Sequence, residues 1–174
     1  MSNMVPESHP FLPLYRLYGQ HALTIDMADI EGHYMKHERR CFWVAVLPDT
    51  NEVVGCVALE PHASDSGIVP IEPSEIGPDG RALRIAELRR MSVSAAHRGK
   101  QIATRLLDRT SEWARANGFT SIRLTCSEFQ YAAIQLYERY GYKACRSAAV
   151  SRSLSISCVG LSVCVCVCSY GMDG

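Results

Sequence analysis

Residues 94–101, Ser-Ala-Ala-His-Arg-Gly-Lys-Gln, set a glycine between two cations immediately ahead of a run with helical periodicity that begins at Ile102. A turn that feeds directly into a helix leaves the first backbone N–H groups unpaired and pointing outward, which makes the junction an anion site. From Arg81 to Arg115 nine Lys and Arg residues stand against Glu87, Asp108 and Glu112. Such a segment attracts a ligand with several phosphates. The alternative is that most of these cations form a solvated helix face, with Arg98 and Lys100, inside the turn, the better ligand contacts. A nucleotide-binding module would rest on this basic turn alone, since the chain contains neither GxxxxGK[ST] nor GxGxxG.

The elements that must hold this turn can be read from periodicity. Residues 1–22 lack periodicity, contain three prolines and read as a loosely ordered lead-in. Residues 26–36 begin with Asp26 and space Met27, Ile30 and Tyr34 as a short helix would. Residues 41–47 and 52–60 are β-rich runs joined by Pro-Asp-Thr-Asn, a turn sequence that predicts an antiparallel hairpin. A Pro-, Gly-, Ser- and Asp-rich stretch over 61–80 has loop composition. Strand character returns over 83–93, and from Ile102 apolar residues keep helical spacing until Gly118 stops the helix. A short strand over 121–126 and a helix over 132–140, closed by Gly141, follow. This strand–helix–strand–helix order predicts an α/β domain with parallel pairing at its centre.

ELRRMSV followed by SAAHRGKQIATRLL resembles motif A of the GNAT superfamily of N-acetyltransferases, and AAIQLYERYGY resembles its motif B. DMADIEGHYM and CFWVAV are similar to the camello-like branch, which includes aspartate and cysteine-conjugate N-acetyltransferases; the resemblance covers roughly residues 24–143. It implies an α/β (α+β) fold with a mixed, centrally splayed sheet flanked by helices, and an acetyltransferase domain over residues 23–145. The implied reaction moves an acetyl group from acetyl-CoA to a primary amine of a small molecule, an amino acid or a lysine side chain. The motif A turn falls on Arg98, Gly99, Lys100, Gln101, Ile102 and Ala103, whose amides would take the CoA pyrophosphate. Gln101 stands where the family prefers glycine, and its Cβ obstructs close phosphate approach or a φ > 0 backbone. The resemblance also implies that residues 87–93 splay from 121–126, so that pantetheine pairs with the main chain of Met91, Ser92 and Val93.

Amine acetylation needs a neutral nucleophile, so a group near the amine must take a proton at neutral pH. Glu87 is the acidic residue in an otherwise apolar and Arg-containing strand, and partial burial would raise its pKa toward that role. The alternative is an ion pair with Arg89 or Arg90. Tyr137 lies where motif B carries an acid tyrosine, and the resemblance assigns it the protonation of the departing thiolate; without the motif it reads as core packing. Backbone N–H near Val93 would polarise the thioester carbonyl.

Past motif B the family continues with further strands, whereas this chain continues KACRSAAVSRSLSISCVGLSVCVCVCSYGMDG. Residues 146–174 therefore read as an atypical, low-complexity tail, with the C-terminal strands missing or altered. VCVCVC can be encoded by a GT repeat and suggests translated intron or misassembled sequence; the rival is a genuine edge strand over 163–168. Camello-like proteins carry an apolar membrane segment upstream of the region matching Asp26, so both ends are expected to be incomplete.

The remaining totals narrow the classes. With 18 Lys and Arg against 18 Asp and Glu, nothing signals nucleic acid. The longest apolar stretch, residues 158–168, is too short to cross a bilayer, and no signal peptide is expected. Cys41, Cys56 and Cys126 read as buried free thiols with no metal-ligand spacing, in a cytoplasmic protein. The competing function is a catalytically weak CoA-binding or scaffold protein, suggested by Gln101 and the tail. Oligomeric state is not encoded legibly.

Overall fold

A computed structural model describes residues 20–62, 84–127, 130–146 and 163–169. The readings over 1–19, over the loop at 63–83 and over the rest of the tail lie outside the described residues. The two β-rich runs form β1 (Cys41–Val46) and β2 (Val53–Pro61), paired antiparallel from Cys41↔Leu59 to Val46↔Val53. The turn between them closes through Leu47 N–H to Glu52 C=O at 2.9 Å, with Asn51 in the left-handed region that asparagine tolerates. Then follow β3 (Ile85–Val93), α1 (Ile102–Ala116), β4 (Ser121–Ser127), α2 (Tyr131–Tyr140), β5 (Lys143–Arg146) and β6 (Val163–Ser169).

The strand order is β1-β2-β3-β4-β6-β5, and only β3 and β4 run parallel, joined by the α1 crossover. The rival reading of 163–168 as an edge strand is met in part, since a strand forms there but not at the edge. β6 is interior, hydrogen-bonded to β4 on one side and to β5 on the other, because the shorter β5 takes the outer place. Two strands thus follow α2.

One face of the sheet presents Val57, Leu59, Ala86, Leu88, Ile122 and Leu124 to a core shared with Leu106, Leu107 and Ala114 of α1. Fully burying a side chain such as Leu107 contributes about 2 kcal/mol. Trp113 stacks on Phe119 and meets Trp43 edge-on, sealing the far end of α1. The helix stops where Gly118 takes a positive φ and Phe119 N–H bonds back to Ala114 C=O at 2.9 Å. On α2, the Tyr140 hydroxyl donates to Asp108 Oδ1 at 2.8 Å and ties the two helices together.

The opposite face is covered by the N-terminal segment, where the short helix expected over 26–36 is only partly found. Residues 20–24 are helical, so the loosely ordered lead-in expected over 1–22 is corrected at its described end; residues 25–28 form turns, and a π-helical turn spans Glu31–Met35. Asp26 does not cap it; Asp29 accepts from Gly32 N–H instead, while Tyr34, fully buried, packs its ring 5.4 Å from Phe42. No helix among the described residues is long and apolar enough to cross a membrane.

Candidate active site

β3 and β4 are in parallel register only from Ile85↔Ser121 to Leu88↔Leu124, although β3 runs on to Val93 and β4 to Ser127. Beyond Leu88, β3 stays with β2 as far as Gly55↔Val93, while β4 stays with β6 as far as Ser127↔Val163. The sheet therefore parts between its two central strands. The β4-facing backbone groups of the last five residues of β3 meet no strand, so they stand ready to pair with an extended ligand. Met91, Ser92 and Val93 lie on this free edge, with Met91 and Val93 packed against the core and Ser92 exposed.

The mouth of the gap is the turn before α1. A 3₁₀ turn at Ala95–His97 brings the chain round, and Arg98 Nε donates to Val93 C=O at 3.4 Å, tying the turn to the end of β3. Gly99 and Gln101 both take positive φ, +78° and +59°. Gly99 adopts it freely; for Gln101 the left-handed backbone costs about 1–2 kcal/mol. Gln101 makes no side-chain cap, and the first helical bond runs from Arg105 N–H to Gln101 C=O at 3.0 Å. The amides of Ile102, Ala103 and Thr104 are left for a ligand. Gly55 lets α1 sit this close to the sheet: a Cβ there would lie 3.0 Å from Ser92 C=O and 3.3 Å from both Ile102 and Leu106. With Arg98, Lys100 and Gln101 exposed beside open space at Gly99, the turn fits a pyrophosphate.

Glu87 lies half-buried on the face opposite α1, directly across from Glu60 of β2 and in register with Arg123 of β4. The ion pair held open as its alternative role is not formed. Arg89 Nη1 donates to Glu60 Oε1, and Arg90 binds Asp26 through Nε at 2.7 Å and through Nη2. Glu60 is also 3.0 Å from His33 Nε2 and 3.7 Å from Arg40 Nε. Burial pushes the Glu60 carboxyl up, but the bonds from Arg89 and His33 and their charges outweigh it and hold it below the usual carboxylate range. Of the two opposed carboxylates, Glu60 is the one bonded to cations.

Tyr137 is 5% exposed and belongs to the core cluster with Leu88, Leu106 and Cys126, its ring 5.5 Å from that of Tyr142. Leu88 and Glu87 project to opposite faces of β3. The two sequence-derived candidates therefore lie on opposite faces of the sheet, Tyr137 on the side of the helices and Glu87 on the side of the N-terminal segment, and the fold does not bring them together.

Sequence reasoning missed the group beneath Glu87: Asp26, His33, Tyr34, Arg40 and Glu60. Asp26 is 1% exposed and takes the Tyr34 hydroxyl as well as Arg90. Burial would raise its carboxyl, but the bonds from Arg90 and Tyr34 and the Arg90 charge hold it well below the usual range; burial and the same carboxylate push the Tyr34 phenol well above its own. An Asp between Ile25 and Met27, and a Glu ending an apolar strand, were the local signals. Among the described residues no group of three or more His, Cys, Asp or Glu could hold a metal ion.

Residues 8–142 match the profile of the family described as Acetyltransferase (GNAT) family. The chain is 40% identical over 122 residues to N-acetylaspartate synthetase of Xenopus tropicalis, covering 70% of this chain and 38% of that one. It is 39% identical over 128 residues to N-acetylaspartate synthetase of Homo sapiens, covering 74% and 36%. It is 36% identical over 124 residues to a probable N-acetyltransferase camello of Xenopus tropicalis, covering 71% and 48%. The matched region thus spans less than half the length of each of these curated relatives. Among solved structures, an acetyltransferase of the GNAT family from Staphylococcus aureus superposes with a TM-score of 0.60 at 16% identity, covering 86% of this chain and 77% of that one. A putative streptothricin acetyltransferase from Bacillus anthracis, in complex with acetyl coenzyme A, superposes at 0.59 and 16% identity, covering 80% and 67%. These likenesses establish the mixed, parted-sheet fold.

Proposed function

The chain belongs to the acetyltransferase (GNAT) family, and from that premise we propose that residues 23–145 transfer an acetyl group from acetyl-CoA to a primary amine. The parting of β3 from β4 after Leu88 and Leu124, with the open N-terminus of α1 at its mouth, carries this reading. Acetyl-CoA supplies the thioester whose acyl carbon the amine attacks. Arg98, Gly99, Lys100, Gln101, Ile102 and Ala103 hold the pyrophosphate through backbone N–H groups and two cations. Met91, Ser92 and Val93 pair with the pantetheine arm, and a backbone N–H near Val93 stabilises the charge that develops on the thioester oxygen.

Glu87 takes the proton lost by the amine nitrogen as the C–N bond forms. Tyr137 gives its proton to the sulfur as the C–S bond breaks, from the opposite face of the sheet. Arg40 and Arg89 set two guanidinium charges against Glu60 and leave positive character beside Glu87. A small acceptor bearing a carboxylate, such as an amino acid, suits that surface, and the names of the curated relatives point the same way. Three free cysteines among the described residues support a reducing, cytoplasmic setting.

A second reading, a CoA-binding protein with weak catalysis, is favoured by one observation, the strained Gln101 in the phosphate turn. Calorimetric titration with acetyl-CoA, followed by thiol-release assays over a panel of amines including L-aspartate, separates the two. Binding with amine-dependent thiol release supports the enzyme; binding without release from any amine supports the second reading; no binding overturns both.

A further inference from the structure

Arg90 stands in a backbone conformation that its side chain disfavours, and the surrounding residues account for it. Ala58 pairs with Arg89 and Cys56 with Ser92, so that Arg90 and Met91 together face Val57 alone: β3 carries a bulge. Arg90 takes φ +56°, the left-handed conformation that such a bulge normally reserves for glycine. A regular strand would alternate Leu88 toward the core, Arg89 away and Arg90 toward the core again. The bulge instead directs Arg90 to Asp26 on the far face, and the residues after it to a new phase, with Met91 and Val93 packed against the core.

Strain of this kind persists only where neighbours over-determine it. Here the guanidinium makes two bonds to Asp26, Asp26 is held by the hydroxyl of the fully buried Tyr34, and the Arg90 carbonyl accepts from the Cys56 thiol at 3.2 Å. The bulge begins at Arg90, immediately before Met91, Ser92 and Val93, just past the point where β3 loses β4 as a partner. A one-residue shift exchanges the amides that face β2 with those that face the gap.

We infer that Arg90, anchored by Asp26 and Tyr34, is a positioning residue: it locks β3 in the left-handed bulge and so sets which backbone groups of Met91, Ser92 and Val93 meet acetyl-CoA. This rests on the acetyl-CoA reading above, and its test separates the two. Asp26→Asn alone, with Arg90 kept, breaks the anchor and is expected to move the backbone shifts of Met91, Ser92 and Val93 away from those of the parent chain, and unchanged shifts in it overturn the inference. In that background Arg90 is then replaced by Gly, Asn, Ala, Val and Lys. Backbone chemical shifts at Met91, Ser92 and Val93, read without ligand, follow tolerance of positive φ: Gly keeps the parent values, Asn nearly so, and Ala and Val move them progressively. Acetyl-CoA affinity follows the same order, with Gly within about threefold of the parent and Val weakened by about tenfold or more. Retention of both properties by Lys ahead of Gly, or indifference of the shifts to the substitution, overturns the inference. A parent chain that binds no acetyl-CoA refutes the cosubstrate reading, while the ligand-free shifts still decide whether the anchored arginine sets the bulge. Should the Val variant fail to fold, the order among Gly, Asn and Ala decides.

Discussion

Glu60 and Glu87 face each other across the β2–β3 ladder, and only Glu60 is bonded to the arginine between them and the gap. Like charges in directly opposed positions repel unless one is neutralised. The Arg89, Arg40 and His33 contacts do this for Glu60, while Glu87 forms no direct bond to a described residue and acts on Arg89 only through its charge. The division predicts different consequences for the same chemical change. Glu87→Gln lowers kcat by about 10²- to 10⁴-fold with little change in acetyl-CoA affinity or melting temperature. Glu60→Gln leaves Arg89 and Arg40 without their buried partner and costs about 2–3 kcal/mol of stability, read by denaturant titration. Equal kinetic losses in the two variants would refute the assignment.

Acid stability follows from the same carboxylates. Asp26 and Glu60 both have folded-state pKa values below their unfolded ones, so the folded state binds fewer protons. Their contribution is fully present above the unfolded carboxylate range of about pH 4 and is lost as the pH falls further, through the folded values. Tyr34 has the opposite sign: its raised phenol contributes below about pH 10 and the contribution disappears as pH rises beyond that. Unfolding free energy measured against pH is expected to hold near neutrality and fall below about pH 4 and above about pH 10. Tyr34→Phe flattens the alkaline limb, and Asp26→Asn flattens part of the acid limb while lowering stability at neutral pH by about 3 kcal/mol.

Much of this scaffold was legible because its signals are local. The Pro-Asp-Thr-Asn turn, the helical spacing from Ile102 and the stops at Gly118 and Gly141 each belong to a few neighbouring residues, and each element formed within about two residues of its expected bounds. The parting of the sheet came from motif resemblance, since periodicity carries no information on where a parallel ladder ends. Arg90 meets Asp26 across 64 positions, and nothing in either local window announces the other. Asp26 therefore read as a helix start. The alternation over 163–168 supported a strand only as the rival to a non-coding origin, and it carried nothing on that strand's neighbours, because pairing order depends on where β5 settles.

Tyr137 can be tested apart from its packing. Its ring lies in the core beside Tyr142, so Tyr137→Phe preserves the shape, and losing one buried hydroxyl costs about 1 kcal/mol, or about 3 °C in melting temperature. The expected result is a loss of about 10²-fold in kcat with unchanged acetyl-CoA affinity, and a smaller loss with an acyl donor whose thiol is more acidic, because a better leaving group depends less on a proton donor. A wild-type rate in Tyr137→Phe would return this residue to a packing role alone.

Gln101 offers the reverse experiment, a substitution expected to improve the protein. Its backbone already sits at φ +59°, ψ 14°, so glycine fits without rearrangement and removes the left-handed penalty. Glycine's greater freedom in the unfolded chain returns part of that gain, leaving a net stabilisation of about 0.5–1 kcal/mol, or about 2 °C in melting temperature for a chain of this size. Removing the Cβ also opens the turn at the point where a pyrophosphate must approach the amides of Ile102 and Ala103, so acetyl-CoA should bind about fivefold more tightly, read by calorimetry. Gain in both quantities identifies Gln101 as an obstruction in a working cradle. Gain in stability without gain in affinity would show that the glutamine only strains the backbone, and that the phosphate contacts lie on the Arg98 side of the turn.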